Sequence, residues 1–404
     1  MISQDFRSLL SKDLVSDIMG ILNKGEGGSA YLVGGCLRNF LLNVPVKDID
    51  IATSYLPDEV TNLLQSKGIK TIPTGIDHGT VTALGSRGHT VEITTLRRDV
   101  ETDGRRAVVA FTKDIAEDAR RRDFTLNALY LDNNGNLFDP TECGVDDIER
   151  RVLHFIGNAH DRIKEDALRI LRFYRFGSVY NLDLPFNERN AVSQNINLLN
   201  NLSKERVTSE FFKMFSGENI VDILCIMEED NIGKYFKTPE VNKEKLQRLH
   251  TNISNIRNDQ YLKIIWLWCF LNGLDYKDEV NDPHAFCLSN NEQKFYWHIG
   301  DVLADLSAQD KKLYKKLAYK YGKDLLMAAL AIESARSEKT YEIDALQNWS
   351  IPSFPLTGAD LLNLGLEQGP QIGRVLTDVE KWWIENNFSP TRQECLEKAE
   401  KQLN

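Results

Sequence analysis

The 404-residue chain is too long for one ordinary hydrophobic core, so two to four packed units are expected, enough for an enzyme. A net charge of -10 with 27% charged residues excludes a surface that coats nucleic acid throughout and leaves room for local basic patches on an acidic body. The six cysteines (Cys36, Cys143, Cys225, Cys269, Cys287, Cys395) form neither a C-x-x-C pair nor a zinc-like spacing with histidine, which predicts reduced thiols rather than a metal knot.

Residues 5–24 carry apolar groups at helical spacing, and the glycine-rich 25–28 ends that helix. From Ala30 the text turns strand-like, with the runs YLVGG, DIDIAT, TVTAL and TVEITTL separated by helix-compatible segments such as 58–68. This predicts a mixed α/β unit ending near Pro140. Beyond it the periodicity is helical almost to the end, with loop-like joints near 181–187, 275–284 and 350–357 and no internal repeat. The longest apolar cluster, 264–271, is too short to span a bilayer, and residues 1–10 lack the apolar region of a signal peptide. The expectation is a soluble, cytoplasmic protein with no membrane partner.

The strand at Leu32 and Val33 runs into Gly34 and Gly35, with Arg38 three residues on. Bare backbone beside a helix N-terminus lets phosphate oxygens reach amide donors; the same dipeptide also serves as an ordinary tight turn. About a dozen residues later, Asp48 and Asp50 stand at i and i+2 of an apolar strand, so both carboxylates leave one face. Hard oxygen ligands in that number suit Mg²⁺, which fills its shell with water and substrate phosphates, although an exposed polar strand face has the same pattern. Glu92, on a later alternating strand, is the candidate third carboxylate or a plain strand-face glutamate. Turn and carboxylate pair together resemble the DNA polymerase β-like nucleotidyltransferase superfamily.

At 120–128 a cationic run meets an apolar helix start, RRRDFTLNA. Arginine suits a triphosphate, and aspartate and asparagine can bond sugar hydroxyls, while a solvated helix face is the plainer alternative. Placed after GG and DxD, RRDFTxNA resembles the second motif of class II CCA-adding enzymes and their bacterial poly(A) polymerase relatives. That resemblance implies that Gly35, Arg38 and Arg122 steady the triphosphate and that Asp123 and Asn127 meet the ribose. It reads 96–111 as the flexible loop of full CCA-adding members. It also places a hinge at Asp139, Pro140, Gly144 and Asp146, with one extra residue around Glu142 and Cys143. The family usually has aspartate where this chain has Asn39, which keeps the size and one acceptor.

Residues 162–176 read as one helix in which Asp166, Arg169, Arg172 and Arg175 recur every three residues along a slowly turning face. An i,i+4 pair between Glu165 and Arg169 on a surface helix is the simpler reading. A carboxylate accepts from the exocyclic amine of C or A while a guanidinium donates to their ring acceptors, and U and G present the opposite groups. The EDxxR run resembles the family's protein template. The carry-over assigns Asp166 and Arg169 to the base, Arg172 and Arg175 to the phosphates, and Glu165 to supporting the template arginine.

Lys311, Lys312, Lys315, Lys316, Lys320 and Lys323 fall within thirteen acid-free residues, as a phosphate-tracking patch or a solvated face. Segments 354–362 and 369–376 resemble the C-terminal helices of bacterial family members. The resemblance covers roughly 28–180 and, more weakly, 354–396. It implies an α+β fold with a polymerase β-like head (1–140), then an all-helical neck (141–200), body (201–290) and tRNA-binding tail (291–404). The implied activity is template-independent addition of CCA to the tRNA 3′ end from CTP and ATP. Mg²⁺ would sit on Asp48, Asp50 and Glu92, and no protein partner is evident. An A-adding enzyme or poly(A) polymerase shares the motifs. A non-catalytic RNA-binding protein conflicts with the intact carboxylates. A bifunctional phosphohydrolase is not expected, because His160-Asp161 is the chain's only His-Asp pair.

Overall fold

The alternating runs at 30–33, 50–53, 80–84 and 90–95 become strands of one seven-stranded mixed sheet. The computed structural model describes residues 6–24, 28–76, 79–102, 107–254, 256, 259–275, 280–306, 311–337, 339, 341, 346 and 348–402. They divide into two compact units, Met1–Lys237 with Ala285–Cys287, and Thr238–His284 with Leu288–Asn404.

The first unit opens with α1 (Arg7–Leu10), α2 (Asp13–Leu22), β1 (Ala30–Val33), α3 (Gly35–Leu41), β2 (Asp50–Thr53) and α4 (Pro57–Gln65). β3 (Lys70–Gly75), β4 (Thr80–Leu84) and β5 (Thr90–Thr95) follow, then the hairpin β6 (Arg97–Thr102) and β7 (Ala107–Phe111). After α5 (Ile115–Arg120), the short β8 (Tyr130–Leu131) and β9 (Leu137–Phe138) complete the sheet, in the order β3-β4-β5-β2-β1-β8-β9. β2 and β5 run parallel and the other neighbours antiparallel. The helices are α6 (Gly144–Arg150), α7 (Ala159–Glu165), α8 (Leu168–Tyr180), α9 (Phe186–Gln194), α10 (Lys204–Met214), α11 (Ile220–Glu229) and α12 (Ile232–Phe236). Val33, Ala52, Leu96, Ala119, Ala128, Tyr130 and Ile156 pack one face of the sheet. Phe124, Phe155, Phe173 and Phe176 form an aromatic cluster, with centroids 4.9–6.4 Å apart, that fastens α8 to the turn after α5.

Three local expectations are corrected. Asp48 is not on the strand: β2 starts at Asp50, opposite Val33, the last residue of β1, beyond which that neighbour turns away into α3. Segment 96–111 is a two-stranded hairpin rather than a loop, with a register shift between Asp99 and Glu101 and residues 103–106 outside the described set. The helix expected over 162–176 breaks at Asp166, whose backbone is extended (φ -149°, ψ 105°). The Asp166 carboxylate accepts the Leu168 N–H at 3.1 Å, so a side-chain cap starts a new helix where propensity alone would continue the old one.

The second unit is helical: α13 (Lys243–Ile253), α14 (Asp259–Asn272), α15 (Asn290–Leu306), α16 (Lys311–Tyr321), α17 (Lys323–Ser337), α18 (Gly358–Asn363), α19 (Pro370–Glu385) and α20 (Arg392–Glu400). The apolar run in α14 is buried on all sides, as Ile264, Ile265, Leu267 and Trp268 show, so its hydrophobicity serves a core. Among the described residues no helix is long and apolar enough to cross a membrane. Leu361, Val379, Trp383, Cys395 and Ala399 join α18, α19 and α20.

Candidate active site

β1 runs into Gly34, whose φ of +71° favours glycine, and a Cβ there would lie 3.3 Å from Arg122 Nη1. The chain turns here into α3, so bare backbone meets the sheet end at which Asp50 begins β2. Asp50 stands between Val33 of β1 and Glu92 of β5 in register. It is half-buried, while Asp48 and Glu92 are exposed. Burial and the Glu92 charge raise the Asp50 carboxyl above its ordinary value; Arg122 and Arg38 pull it down and Asp48 pushes it up. Gathered like charges around a partly desolvated carboxylate are what a divalent cation relieves. Among the described residues no group of three or more His, Cys, Asp or Glu makes a ready-built metal cage. The carboxylates gathered at this sheet end are of the kind a hard cation takes singly or in pairs, the rest of its shell coming from water and substrate oxygens.

One cavity of ≈ 550 Å³ unites the turn, the strand end, the RRDFTLNA segment and the start of α8. Seven arginines (Arg38, Arg97, Arg121, Arg122, Arg169, Arg172, Arg206) face three aspartates (Asp50, Asp123, Asp166), which makes the wall electropositive and suited to a triphosphate. Asp118, on α5 and buried, orders this wall. It accepts from Arg121 Nη2 at 2.7 Å, Arg122 Nη2 at 2.9 Å and the Tyr130 hydroxyl at 2.7 Å. Burial opposes its charge, but Arg122 and Arg121 outweigh burial and hold the carboxyl down at about 2. Burial likewise opposes the Arg122 charge, and Asp118 and Tyr130 more than offset it, so that guanidinium stays above its ordinary value.

Arg38 lies between the rings of Phe176 and Tyr180, 4.9 and 4.3 Å from their centroids. It donates to Asn39 Oδ1 twice (3.1 and 2.8 Å), to Asn127 Oδ1 (2.6 Å) and to the Tyr180 hydroxyl (2.6 Å). Four of the five N–H donors of a guanidinium are thereby used, which leaves one on Nη1. The asparagine at 39 thus supplies the one acceptor its side chain retains. Asn127 passes the network on by donating to Asp123 Oδ1 at 2.9 Å. Asp123 also pairs with Arg172, whose Nε lies 2.7 Å from Oδ2. Burial disfavours the Asp123 charge, yet Arg172 and Asn127 hold its carboxyl at about 2.

Around Asp166 and Arg169 the break between α7 and α8 is structural capital for the site. Arg169 Nη1 donates to the Arg162 carbonyl at 2.6 Å and to Glu165 Oε2 at 2.6 Å, and Nη2 donates to the Arg121 carbonyl at 3.0 Å. The Arg162 carbonyl, which also accepts the Asp166 N–H at 3.4 Å, thereby gains a second donor at the end of α7. Nε and one Nη2 proton remain as donors. Asp166 accepts from Arg206 of α10 at 3.0 and 2.8 Å.

Of the residues singled out in the sequence, Gly35, Arg38, Asp50, Arg122, Asp123, Asn127, Asp166, Arg169 and Arg172 line the cavity. Asp48 and Glu92 flank it by charge, and Glu165 lies behind Arg169. Arg175 is not in the lining; it pairs with buried Glu210 of α10 at 3.1 Å. Sequence reasoning missed Arg97, Asp118, Arg121, Tyr180 and Arg206. Asp118 alone had a visible signal, its i+3 and i+4 spacing to Arg121 and Arg122. In the second unit, Lys315 is exposed with Nζ 5.5 Å from the Trp349 ring centroid, and Lys316 is half-buried. The side chains of Lys311 and Lys312 lie outside the described residues.

A glycine turn and carboxylates at one end of a mixed sheet, closed over by an arginine-lined cavity, define the nucleotidyltransferase class. Comparison with known proteins agrees. The poly A polymerase head domain matches residues 30–154, and the probable RNA- and SrmB-binding site of polymerase A matches 183–245. The CCA-adding enzyme of Streptococcus pyogenes serotype M4 is 33% identical over 91% of this chain and 92% of its own. The mitochondrial CCA tRNA nucleotidyltransferase 1 of Danio rerio is 31% identical over 98% of this chain and 92% of its own. The crystal structure of the Bacillus stearothermophilus CCA-adding enzyme in complex with CTP superposes with a TM-score of 0.78 at 26% identity, covering 97% of this chain and 98% of that one. The chain belongs to the family of class II CCA-adding enzymes and bacterial poly(A) polymerases.

Proposed function

We propose that the protein adds CCA to the 3′ end of tRNA without a nucleic-acid template, from CTP and ATP with release of pyrophosphate. The observation that carries this reading is the single cavity in which Asp166 and Arg169 stand with Asp50 and the arginine wall. Cytosine and adenine both present an exocyclic amine beside a ring acceptor, so one carboxylate and one guanidinium edge serve both bases. Uracil and guanine present a carbonyl where Asp166 needs a donor. Glu165, pinned between Arg162 and Arg169, holds the reading guanidinium in place.

Asp123 and Asn127, joined to each other and to Arg38 and Arg172, would orient the ribose, while Gly34 and Gly35 with Arg122 and the remaining Arg38 proton cradle the triphosphate. Arg175, bonded to Glu210, anchors α8 rather than meeting a phosphate. Asp50 and Asp48, with Glu92 alongside, would hold Mg²⁺, which when bound activates the RNA 3′-hydroxyl and neutralises charge on the leaving pyrophosphate. We assign 1–140 to the catalytic head, 141–200 to the neck, 201–290 to the body, and 291–404 to a tail whose Lys311, Lys312, Lys315 and Lys316 track the tRNA backbone. A cytoplasmic address is part of this reading, since scattered cysteines without a C-x-x-C pair suit reduced thiols.

The test uses purified protein, Mg²⁺ and three tRNA transcripts ending at the discriminator base, in C and in CC, with CTP and ATP singly and together. The bare transcript should gain three nucleotides and stop, only with both triphosphates, and an Asp48→Ala/Asp50→Ala double variant should add none. Growth of the CC-ended transcript alone would replace this reading by an A-adding enzyme or poly(A) polymerase. Absence of any growth would leave an RNA-binding protein.

A further inference from the structure

We infer that Arg206 is the positioning residue that fixes the Asp166 carboxylate for base discrimination, an inference that rests on the reading of Asp166 given above. One nitrogen of Arg206, Nη2, reaches both Asp166 oxygens, Oδ1 at 3.0 Å and Oδ2 at 2.8 Å. The Leu168 N–H claims Oδ1 a second time at 3.1 Å. A carboxylate has about four lone-pair sites. Three are thus held by donors of the protein, and the fourth, on Oδ2, is left for a single incoming N–H. That is the number of protons an exocyclic amine turns toward a reader on its Watson–Crick edge. A carbonyl at the same place brings a lone pair against a lone pair.

The placement of Arg206 does not follow from helix stability. It stands in the first turn of α10, where the helix dipole disfavours a cation. It lines the cavity, with its side chain 37% exposed. A turn further along α10, Glu210 pairs with Arg175 of α8, so two ion pairs of opposite sense join α10 to α8 and to the break that precedes it. The Glu210 rung lies outside the cavity lining and the Arg206 rung within it. Only the latter ends on a group that meets the base. Without Arg206, Asp166 keeps the Leu168 bond alone and its carboxylate is free to turn about its last torsion, so the open lone pair loses its aim.

The experiment measures kcat and KM for CTP and for UTP on a tRNA transcript ending at the discriminator base. It compares the full-length wild type with Arg206→Ala, Arg206→Lys, Arg206→Met and Glu210→Gln, with cooperative thermal unfolding checked for each. Arg206→Ala is expected to lower the CTP-over-UTP preference in kcat/KM by roughly ten-fold or more, through KM for CTP more than through kcat. Arg206→Lys should regain most of that preference, because a single nitrogen makes both contacts. Glu210→Gln should lower thermal stability and leave the preference intact. If Arg206→Ala does not fold, Arg206→Met, which keeps the stem, carries the comparison. A wild-type preference in the folded Arg206 variant overturns the inference, and so does an equal loss in Glu210→Gln, which would reduce Arg206 to docking α10. A wild type indifferent to the base overturns instead the reading of Asp166 on which the inference stands.

Discussion

Asp118 touches no substrate in the proposed function, yet the arginine wall depends on it. Its side chain is 1% exposed and serves two guanidinium groups and a phenol. Asp118→Asn would leave both arginines short of a counter-charge in a desolvated place, a loss of about 3–5 kcal/mol for a broken buried pair. The pH dependence follows from the direction of the shift. The carboxyl is held at about 2 in the folded protein, below the roughly 3.9 of an unfolded aspartate. Its contribution is therefore complete above about pH 4 and is lost as pH falls toward 2. Denaturant unfolding at pH 7, 4 and 3 should show the gap between wild type and Asp118→Asn widest at pH 7 and shrinking at pH 3; a gap independent of pH would refute the pairing. The residue-level reading of the sequence found the groups with local signatures, Gly34, Asp50, Asp123, Asp166 and Arg169. It passed over Asp118 because α5 ends at Arg120, so nothing in the helical period marks an acid at 118 as buried. It passed over Arg206 because 40 residues separate it from Asp166.

At the level of elements, alternation revealed β1, β2, β4 and β5, whose inward residues are aliphatic and whose neighbours are fixed by the sheet. The hairpin β6–β7 escaped because its two strands pair only with each other and the sequence of the first, RRDVET, carries charges where a strand signal would show apolar alternation. The break between α7 and α8 escaped for a different reason: apolar spacing continues across it, and the interruption comes from the Asp166 side chain competing for a backbone N–H. Gly144, in the segment read as a hinge, starts α6 against the turn that carries Asn127. A Cβ at this position would lie 2.6 Å from the Thr125 carbonyl and 3.1 Å from Leu129 Cδ2. Alanine is worth up to about 1 kcal/mol over glycine inside a helix, and less at its first residue. The clash is with backbone and cannot relax by a rotamer change, so overpacking of about 1–3 kcal/mol wins. Gly144→Ala should lower the melting temperature and, by pushing on residues 125–127, lower kcat for nucleotide addition. A variant as stable and active as wild type would show that α6 moves away freely.

For the whole molecule, the helical majority and the change of character near Pro140 could be read from periodicity, but the return of the chain to its first unit could not. Residues Ala285–Cys287 come back to Met1–Lys237 from inside the second unit. Phe286 is 6% exposed, with its ring 5.0 Å from Phe211 and 5.7 Å from Phe236 between centroids, and the Cys287 N–H bonds Thr208 Oγ1 at 2.8 Å. A single aromatic in a joint gives no periodic signal, so this stretch reads as the end of a loop. Two of these three contacts, Phe211 and Thr208, lie on α10, the helix that also carries Arg206. Phe286→Ala should destabilise the first unit by about 3–5 kcal/mol, the usual cost of emptying a buried phenylalanine site. The sequence provides its own probe for locating that loss, since all six tryptophans (Trp266, Trp268, Trp297, Trp349, Trp382 and Trp383) belong to the second unit. In the full-length Phe286→Ala variant, the far-ultraviolet circular dichroism transition should begin at a lower temperature while the tryptophan fluorescence transition keeps its midpoint. If the fluorescence midpoint falls by the same amount, Phe286 supports the second unit as much as the first, and its assignment to the core around α10 is wrong.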